Sequence, residues 1–439
     1  MAALQGLLGI IVFCAIAWGL SENRRRVPVR LVLIGLGLQL LLAIFLLKIS
    51  VAREALLYLN NVVTAIATAT QAGTSFLFGY LGGGPLPFEE PFPGAGFILA
   101  FRALPIVLVM SAISAVLFYW KVLPLIVRGL SFALQKTLGI GGALGVGTAA
   151  NIFVGMVEAP LFVRPYLQRM SRSEIFAIMP VGMATLAGTM LVLYALTIQP
   201  IVGDAARGQL LVASIISAPA ALVIAQLMVP PGDEDVTSGE LSVSENRNNS
   251  DESSAGSHSP YTSTMDAITS GTFEGLKLWG SIVAMLIVLV ALVSLANQIL
   301  AVLTPGIAQA LGTGTEVLTL QQILGWLLSP LAWLMGVSWN DAAAAGQLLG
   351  VKIELNEFLA YIQLAQMDPA TISESSRVIL VYAICGFANL GSLGIMIGGL
   401  STMAPERRSE IVSLGFRTIV SGNLATMMTG AIVGVVLGF

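Results

Sequence analysis

The chain has 439 residues, of which 56% are hydrophobic and only 10% are charged, and its formal net charge is −3. A soluble protein carries roughly 25% charged residues, so this chain could not cover a water-facing surface of its size. The composition predicts an integral membrane protein, and the lack of a basic block argues against nucleic acid as a partner.

Cysteine and histidine are too scarce for two common kinds of site. Cys14 and Cys385 both lie in apolar runs, which argues against a disulfide scaffold or a cysteine-based metal site. The single histidine, His258, lies in a polar stretch, so a zinc enzyme or a histidine proton relay has almost no ligands. No nucleophile–base pair is evident in the sequence, and we do not expect an enzyme.

Eight apolar stretches are long enough to cross a bilayer as helices. In chain order they are residues 4–20, 31–48, 97–120, 175–198, 210–229, 276–300, 378–400 and 411–439. Between the second and the third, residues 51–78 are expected to form a helix along the outer surface, followed by a Pro/Gly-rich external loop at 85–93. The pattern predicts an all-α polytopic membrane protein with eight transmembrane helices.

The distribution of Lys and Arg in the short loops predicts the orientation of these spans. Four basic clusters lie in these loops. After the first span come Arg24, Arg25, Arg26 and Arg30, and after the third come Lys121, Arg128 and Lys136. Before the fourth span come Arg164, Arg169 and Arg172, and between the last two spans lie Arg407 and Arg408. All four fall on one side only if residues 139–165 form a re-entrant hairpin, and both termini then lie outside. The chain start lacks a positive segment, so the first span is not expected to be a cleaved signal peptide.

Residues 337–366 are predicted to form a second re-entrant hairpin, because the alternation of sides requires them to return to the outer face. Their polar members are Asn340, Asp341, Lys352, Glu354, Asn356 and Glu357. Charge at this depth must be buried in protein or line a water-filled cavity. An ordinary external loop is the alternative, but the alanine run 342–345 and the apolar run 358–364 favour helices.

Residues 230–263 differ from the rest of the chain, because they are rich in Ser, Asn, Gly and Glu. The acidic residues of this segment are Asp233, Glu234, Asp235, Glu240, Glu245, Asp251 and Glu252, against the single basic residue Arg247. Such a composition predicts a disordered linker. We place it in the cytoplasm, since acidic residues contribute little to the orientation rule.

Two parts of the chain repeat one pattern. In each, a surface-helix-like stretch, 123–138 or 320–334, leads into a hairpin that carries a glutamate, and a span interrupted by small residues follows. The interruptions at 182–188 and 386–392 share Gly, Ala and Leu at three places, which pairs Thr185 with Asn389. The hairpins enter from opposite faces, so the repeat is inverted, as in secondary transporters whose site lies where interrupted helices meet. Chance recurrence of Gly and Ala in membrane helices is the alternative.

The hairpin glutamates, Glu158 and Glu357, are candidates for ligand binding, because a charged side chain at the bilayer centre costs about 3 kcal/mol or more. As hydrogen-bond acceptors they suit a ligand rich in hydroxyls, such as a sugar. Two opposed carboxylates are also found in glycosidases, but nothing here marks an acid with a raised pKa or access to bulk water. The structural alternative is an internal salt bridge, for example between Glu357 and Lys352.

Neutral polar residues near the interruptions have ligand-binding and structural interpretations. Asn389 and Ser392 are three residues apart and share one helical face, so they could reach one ligand or simply pack between helices. Phe387 could wall a planar ring, or belong to the core. Asn151, Thr185 and carbonyls freed at the breaks supply oxygens that suit Na⁺, whereas Asn151 could instead cap a hairpin helix.

Four stretches resemble the concentrative nucleoside transporters, especially the bacterial members. They are residues 151–161 with Asn151 and Glu158, 355–361 with Glu357, 385–392 with Asn389 and Ser392, and 404–409. Residues 104–120 are also similar to the family's third span, and the resemblance covers nearly the whole chain apart from the acidic linker. It implies a homotrimer with eight spans, two re-entrant hairpins and interfacial helices, in which a transport domain moves against a fixed trimerisation scaffold.

The resemblance also implies roles for individual residues. Glu357, Asn389 and Ser392 would bind the ribose hydroxyls, Phe387 would border sugar and base, and the hairpin tip Met156, Val157 and Glu158 would face the base. Na⁺ would be held by Asn151, Val154, Thr185 and Leu186, with Val154 and Leu186 contributing only carbonyl oxygens. This chain departs from the family pattern at Met156 and Val157, where relatives carry Gln followed by Thr or Ser. Apolar pockets discriminate weakly, so we expect altered or broader base selectivity, shifted towards purine or unusual nucleosides.

The sequence thus predicts a nucleoside symporter of the bacterial inner membrane, a multi-pass protein with no cofactor other than its coupling ion. Asn151 and the Thr185 hydroxyl favour Na⁺, while proton coupling through a carboxylate such as Glu158 is the alternative. A nucleoside-binding sensor that signals through the acidic linker without transport is a further alternative.

The predicted organisation has six parts. Residues 1–122 hold spans one to three and the external surface helix, largely as scaffold, and 123–229 form the first repeat. Residues 230–263 form the linker, 264–319 contain span six as scaffold and trimer contact, 320–402 form the second repeat, and 403–439 form span eight.

Overall fold

The computed structural model describes residues 2–89, 96–156, 159–203, 206–232, 261–304, 317–368 and 370–438. All regular secondary structure in these ranges is helical. Most of the predicted linker, the end of the predicted external loop, and the hairpin residues Val157 and Glu158 lie outside the described residues.

The helices of the first half are α1 Ala2–Gly19, α2 Val29–Lys48, α3 Ser50–Phe78, α4 Leu99–Arg102, α5 Ile106–Tyr119, α6 Val122–Leu138, α7 Gly142–Phe153, α8 Arg172–Ala184, α9 Gly188–Val202 and α10 Ala206–Met228. Those of the second half are α11 Thr264–Leu303, α12 Leu320–Leu334, α13 Trp339–Glu354, α14 Glu357–Gln366, α15 Glu374–Ile384, α16 Leu390–Met403 and α17 Arg408–Leu437. Short 3₁₀ helices occupy Gly79–Gly82, Ala159–Tyr166 and Pro405–Arg407. The predicted all-α membrane fold is therefore confirmed.

All eight predicted spans coincide with helices, but not all are continuous. Among the described residues, five segments are long and apolar enough to cross a membrane by themselves: Val29–Lys48, Leu99–Tyr119, Gly208–Met228, Thr264–Leu303 and Pro405–Leu437. The predicted fourth and seventh spans are each two helices, α8 with α9 and α15 with α16. Helices α12 and α13 together are also apolar enough to span but bend by 119°, which fits either a broken span or a re-entrant loop. The number of eight crossings stays a prediction.

The interruption of the fourth span starts from a firmly anchored helix. Helix α8 begins with a capping box, in which the Ser171 hydroxyl accepts from the Glu174 N–H and the Glu174 carboxylate accepts from the Ser171 N–H. It ends at Ala184, and Thr185 turns into an extended conformation. The chain restarts as a helix at Gly188, so residues 185–187 expose backbone groups in the protein interior.

The interruption of the seventh span is longer and includes a strained position. Helix α15 ends at Ile384, and α16 begins only after Asn389. Gly386 has φ +142°, and a Cβ there would lie 2.8 Å from the Met183 carbonyl oxygen at the end of α8. Only glycine combines this backbone conformation with such a close approach, so the two breaks pack directly against each other.

The residue pairing inferred between the two interruptions is wrong. The first small-residue patch, 182–188, starts within the last turn of α8, whereas the second, 386–392, starts after α15 has ended. By the ends of the helices, Thr185 corresponds to Cys385, since each is the C-cap of its helix. The repetition of the pattern holds at the level of elements, but Gly, Ala and Leu recur in a different register.

The core lies around α10 and α17. In these two helices 89% and 83% of the most apolar stretch is buried by protein, against 17% in α2 and 6% in α11. Outward apolar side chains on α11, such as Ile287 and Val302, are largely exposed. A helix that is apolar all round and mostly uncovered is typical of lipid-facing or subunit-facing positions in a membrane protein.

Three of the four basic clusters meet at one end of the helices. Arg172 pairs with Glu22 at 2.8 Å, and Arg417 lies 3.4 Å from the same carboxylate. Arg407 pairs with Glu410 and donates to the Met170 carbonyl at 2.8 Å. The hydrogen bond from Arg172 holds the pKa of Glu22 below its usual range, although partial burial opposes the shift. The segment between the predicted third and fourth spans thus reaches α8 at the end that holds the first loop.

Candidate functional site

Glu357 lies at the start of a helix inside the protein. It is the first residue of α14, whose N-cap Asn356 accepts from the Leu359 N–H at 2.9 Å. The side chain is almost fully buried, with 3% exposure. The Tyr194 hydroxyl donates to Oε1 of Glu357, and the Asn389 amide donates to Oε2 at 2.8 Å. Two donors from two different broken spans therefore fix the carboxylate.

Asn389 connects this carboxylate to the second break. It is the N-cap of α16, and its Oδ1 accepts from the Ser392 N–H at 2.7 Å. The same side chain thus caps a helix with its oxygen and holds Glu357 with its nitrogen. The structure brings together Glu357, Asn389 and Ser392, which the sequence placed in one site.

The arrangement leaves hydrogen-bonding capacity for a ligand. An ionised carboxylate offers about four lone-pair sites, and Tyr194 and Asn389 use one on each oxygen of Glu357. A carboxylate with lone pairs to spare suits a ligand that carries hydroxyl donors better than it suits an anion.

The salt-bridge interpretation of Glu357 is wrong for the described structure. The amine of Lys352 donates to the Ala383 carbonyl at 2.9 Å and to the Thr426 hydroxyl at 2.6 Å. No ion pair within 4.0 Å joins Lys352 to Glu357 in the part of the chain that the structure describes. Glu357 is held by neutral donors and keeps its acceptors for other partners.

A second set of polar groups lies at the end of the first hairpin helix. Asn151 is 1% exposed, and neither its Oδ1 nor its Nδ2 has a hydrogen-bond partner among the described residues. The Thr185 hydroxyl lies 2.9 Å from the carbonyl oxygens of both Asn151 and Val181. The Asn151 side chain is therefore not a helix cap here, and its amide is buried and available.

Two further residues predicted to bind Na⁺ through their carbonyls follow helix ends. Val154 is the C-cap of α7, and Leu186 lies in the break after α8, so both follow a helix C-terminus. The Leu186 N–H donates to the hydroxyl of Ser214 in α10 at 3.1 Å, so this backbone donor has its partner. Helix C-termini carry free carbonyls and partial negative charge. Neutral oxygens between two such ends are a donor set that fits a monovalent cation such as Na⁺.

Met156, which belongs to the predicted hairpin tip, packs on the last turn of α8. A Cβ on Gly182 would lie 3.0 Å from the Met156 Cβ, 3.2 Å from Asn151 Oδ1 and 3.2 Å from the Met396 Cε. Met396 is one helical turn beyond Ser392 on α16, so the two share a face. Met156 and Met396 therefore form an apolar wall next to the polar residues. Phe387, which is 9% exposed, lies in the second break.

Sequence reasoning missed Tyr194 and Ser214. Tyr194 lies in α9 and stacks on Phe358 at 5.7 Å between ring centroids. Ser214 lies in α10 and bonds to the first break. A single tyrosine or serine in an apolar span is a weak signal, because its partner comes from a distant part of the chain.

Comparison with known proteins decides the family. The C-terminal model of the Na⁺ dependent nucleoside transporters matches residues 209–434, the N-terminal model matches 8–81, and a nucleoside-recognition model matches 100–200. An uncharacterized transporter of Haemophilus influenzae is 37% identical over 100% of this chain and 99% of its own length. The chain belongs to the concentrative nucleoside transporter family.

Other members of this family match nearly the whole of this chain. The nucleoside permease NupC of Helicobacter pylori is 34% identical over 100% of this chain and 98% of its own. The sodium/nucleoside cotransporter 1 of Mus musculus is 31% identical over 98% of this chain and 63% of its own. The solved structure of CNTnw in an inward-facing substrate-bound state has a TM-score of 0.85 and 36% identity, covering 100% of this chain and 98% of the other. This transporter is a polytopic helical membrane protein.

Proposed function

We propose that this transporter imports nucleosides across the bacterial inner membrane by symport with a cation. The observation that carries the proposal is the Glu357 carboxylate, which is buried, held by Tyr194 and Asn389, and still able to accept from hydroxyls. Glu357, Asn389 and Ser392 would hold the ribose hydroxyls. The names of the bacterial and mammalian relatives, nucleoside permease and sodium/nucleoside cotransporter, support the same substrate class.

Na⁺ is our proposed coupling ion. It would sit among the Asn151 amide oxygen, the Thr185 hydroxyl and the carbonyls of Val154 and Leu186. The buried and unpartnered Asn151 side chain supports this proposal, because an apolar interior tolerates such an amide only where something pairs with it. A proton carried by a carboxylate is the alternative.

The order of binding follows from shared contacts. Asn151 and Met156 both lie against Gly182, so an ion at Asn151 would fix the hairpin tip that borders the base. The cation would bind first and order the first hairpin, and its inward gradient would drive uphill uptake. Binding of each cargo then raises the affinity for the other by the same factor.

Base selectivity would be altered relative to members with amide and hydroxyl groups at the hairpin tip. Met156 supplies a flexible thioether, and Met396 faces it across Gly182. Two thioethers adapt to planar rings of different shape but donate no hydrogen bonds. Broader selectivity, with purine or unusual nucleosides included, would follow.

The proposed assembly is a homotrimer with both termini outside. The exposed apolar length of α11 would supply part of the fixed scaffold, while the two repeats would form the moving domain. The lipid bilayer would cover the remaining apolar faces of α2 and α11.

The test is uptake of labelled uridine and adenosine into proteoliposomes under imposed Na⁺ or H⁺ gradients. Na⁺-driven uptake that is lost in Glu357→Gln supports both the symport and the sugar site. H⁺-driven uptake would identify H⁺ instead of Na⁺ as the coupling ion and would leave the proposed substrate unchanged. Uptake by the wild type that ignores both gradients would contradict coupling.

A further inference from the structure

The two re-entrant hairpins place one polar residue at the same point of their first helix. Asn151 in α7 and Lys352 in α13 lie in the last turn, with the same spacing to the final residues Phe153 and Glu354. Each helix ends against the broken span of its own repeat, α8 or α15. In the first repeat the Thr185 hydroxyl reaches the Asn151 carbonyl of α7, and in the second the Lys352 amine of α13 reaches the Ala383 carbonyl in the last turn of α15.

Two helix C-termini that face each other concentrate negative potential. Their last carbonyl groups have no partner within the helix, and the aligned peptide dipoles add partial negative charge. A cation between such ends is stabilised, and the same physics holds in both repeats. The difference lies in what each repeat provides at that point.

The first repeat provides only neutral oxygens. The Asn151 amide is buried without a partner among the described residues, and the Thr185 hydroxyl shares the carbonyls of Asn151 and Val181. The second repeat provides a tethered amine. Lys352 is fully buried, and its Nζ donates to the Ala383 carbonyl in the last turn of α15 and to the Thr426 hydroxyl of α17.

We propose that the Lys352 amine acts as a built-in cation that occupies the second repeat's counterpart of the ion site. The inference rests on the proposed symport function and concerns how many cations that function uses. Because Lys352 is covalently attached, it crosses with the protein in both directions and adds no net charge per cycle. Burial opposes the charged form of the Lys352 amine, while attraction by the Glu357 carboxylate favours it.

The inference predicts that one monovalent cation accompanies each nucleoside. In wild-type proteoliposomes, the membrane potential that exactly opposes a known nucleoside gradient measures the charge moved per substrate. One charge per nucleoside agrees with a tethered second cation. Two charges would overturn the inference while leaving symport intact, and no gradient-driven uptake at all would overturn the proposed function instead.

The substitution Lys352→Gln tests the residue itself, because it gives the second repeat an amide like that of Asn151. We expect the Hill coefficient for Na⁺ to rise from about one towards two, since a second ion must now enter. Thr426→Val is the matched control: it removes the neutral partner of Lys352, keeps the charge, and should leave the coefficient at about one. A folded Lys352→Gln protein with an unchanged coefficient would overturn the inference.

For a variant that folds but does not transport, Na⁺ binding can be measured through protein stability. Na⁺ stabilises the folded protein by mass action, so the slope of stability against the logarithm of Na⁺ concentration counts bound ions. The slope should double in Lys352→Gln relative to the wild type and to Thr426→Val. An unchanged slope would contradict the inference, and if Lys352→Gln does not fold, the charge measurement on the wild type decides.

Discussion

The two helix breaks are built from similar elements but differ in length and in what they leave open. The first, residues 185–187, is short and surrounds the unpartnered Asn151 amide with oxygens. The second runs from Cys385 to Asn389, and its polar groups are already engaged with Glu357 and Ser392. The two breaks therefore present unlike groups, neutral oxygens at the first and mutually bonded donors and acceptors at the second.

The largest expected effect comes from removing the link between the second break and its carboxylate. Asn389→Ala deletes both the donor to Glu357 and the cap of α16. We expect nucleoside uptake to fall at least about 100-fold, since a hydrogen bond to a charged group contributes roughly 1.5–3 kcal/mol and a cap about 1 kcal/mol. Radiolabelled uptake measures this loss, and Na⁺-dependent stability should persist, because the first break is untouched.

Tyr194→Phe tests the other donor to the same carboxylate. The variant removes one hydroxyl and leaves the stacking on Phe358 in place. We expect KM for nucleoside to rise about tenfold with little change at saturating substrate, because the charged Glu357 carboxylate loses one of the two donors that orient it. Tyr361→Phe is the matched control, since Tyr361 donates to the Val381 carbonyl and not to Glu357. Equal effects of the two variants would remove Tyr194 from the site.

Thr185→Val addresses the first break alone. Loss of the hydroxyl should raise the Na⁺ concentration for half-maximal uptake about fivefold to tenfold, while the nucleoside KM at saturating Na⁺ stays close to the wild-type value. Thr418→Val is the control, because that buried hydroxyl bonds to the Leu414 carbonyl within its own helix. A shift in nucleoside KM without a shift in Na⁺ dependence would reverse the assignment of the two breaks.

The double change Met156→Gln with Val157→Thr introduces base-directed hydrogen bonding at the tip between the two breaks. We expect the ratio of uridine to adenosine uptake to change severalfold, since polar sites discriminate more strongly than apolar pockets. Competition uptake with both nucleosides measures the ratio. An unaltered ratio would contradict the proposed base selectivity and leave the proposal of the sugar site unchanged.

The smallest expected effect lies at the start of α8, far from its break. The pKa of Glu22 is lowered by its hydrogen bond from Arg172, so the ion pair stabilises the protein above the unfolded pKa and is lost as pH falls through the folded one. Melting between pH 6 and pH 3 should show this loss in the wild type and not in Glu22→Gln. The difference should be about 0.5 kcal/mol, because the pair is partly exposed.

The sequence predicts much of this arrangement because membrane helices carry strong local signals. Apolar length defines the spans, and the clusters at Gly182 and Gly386 mark where two of them break. The pairing of Thr185 with Asn389 failed because small residues recur without fixing a register. The partner of Lys352 and the role of Tyr194 were missed, since both depend on contacts between residues far apart in the chain.

The bare backbone at Gly386 has a consequence for leakage. No side chain separates the two breaks at this point, so under the proposed function the half-span that binds the ion and the half-span that binds the nucleoside would touch at Met183. Neither half-span could then move with its own ligand while the other half-span stayed in place. Under the proposed symport, such a carrier would resist returning half-loaded, and idle cycles would not dissipate the ion gradient.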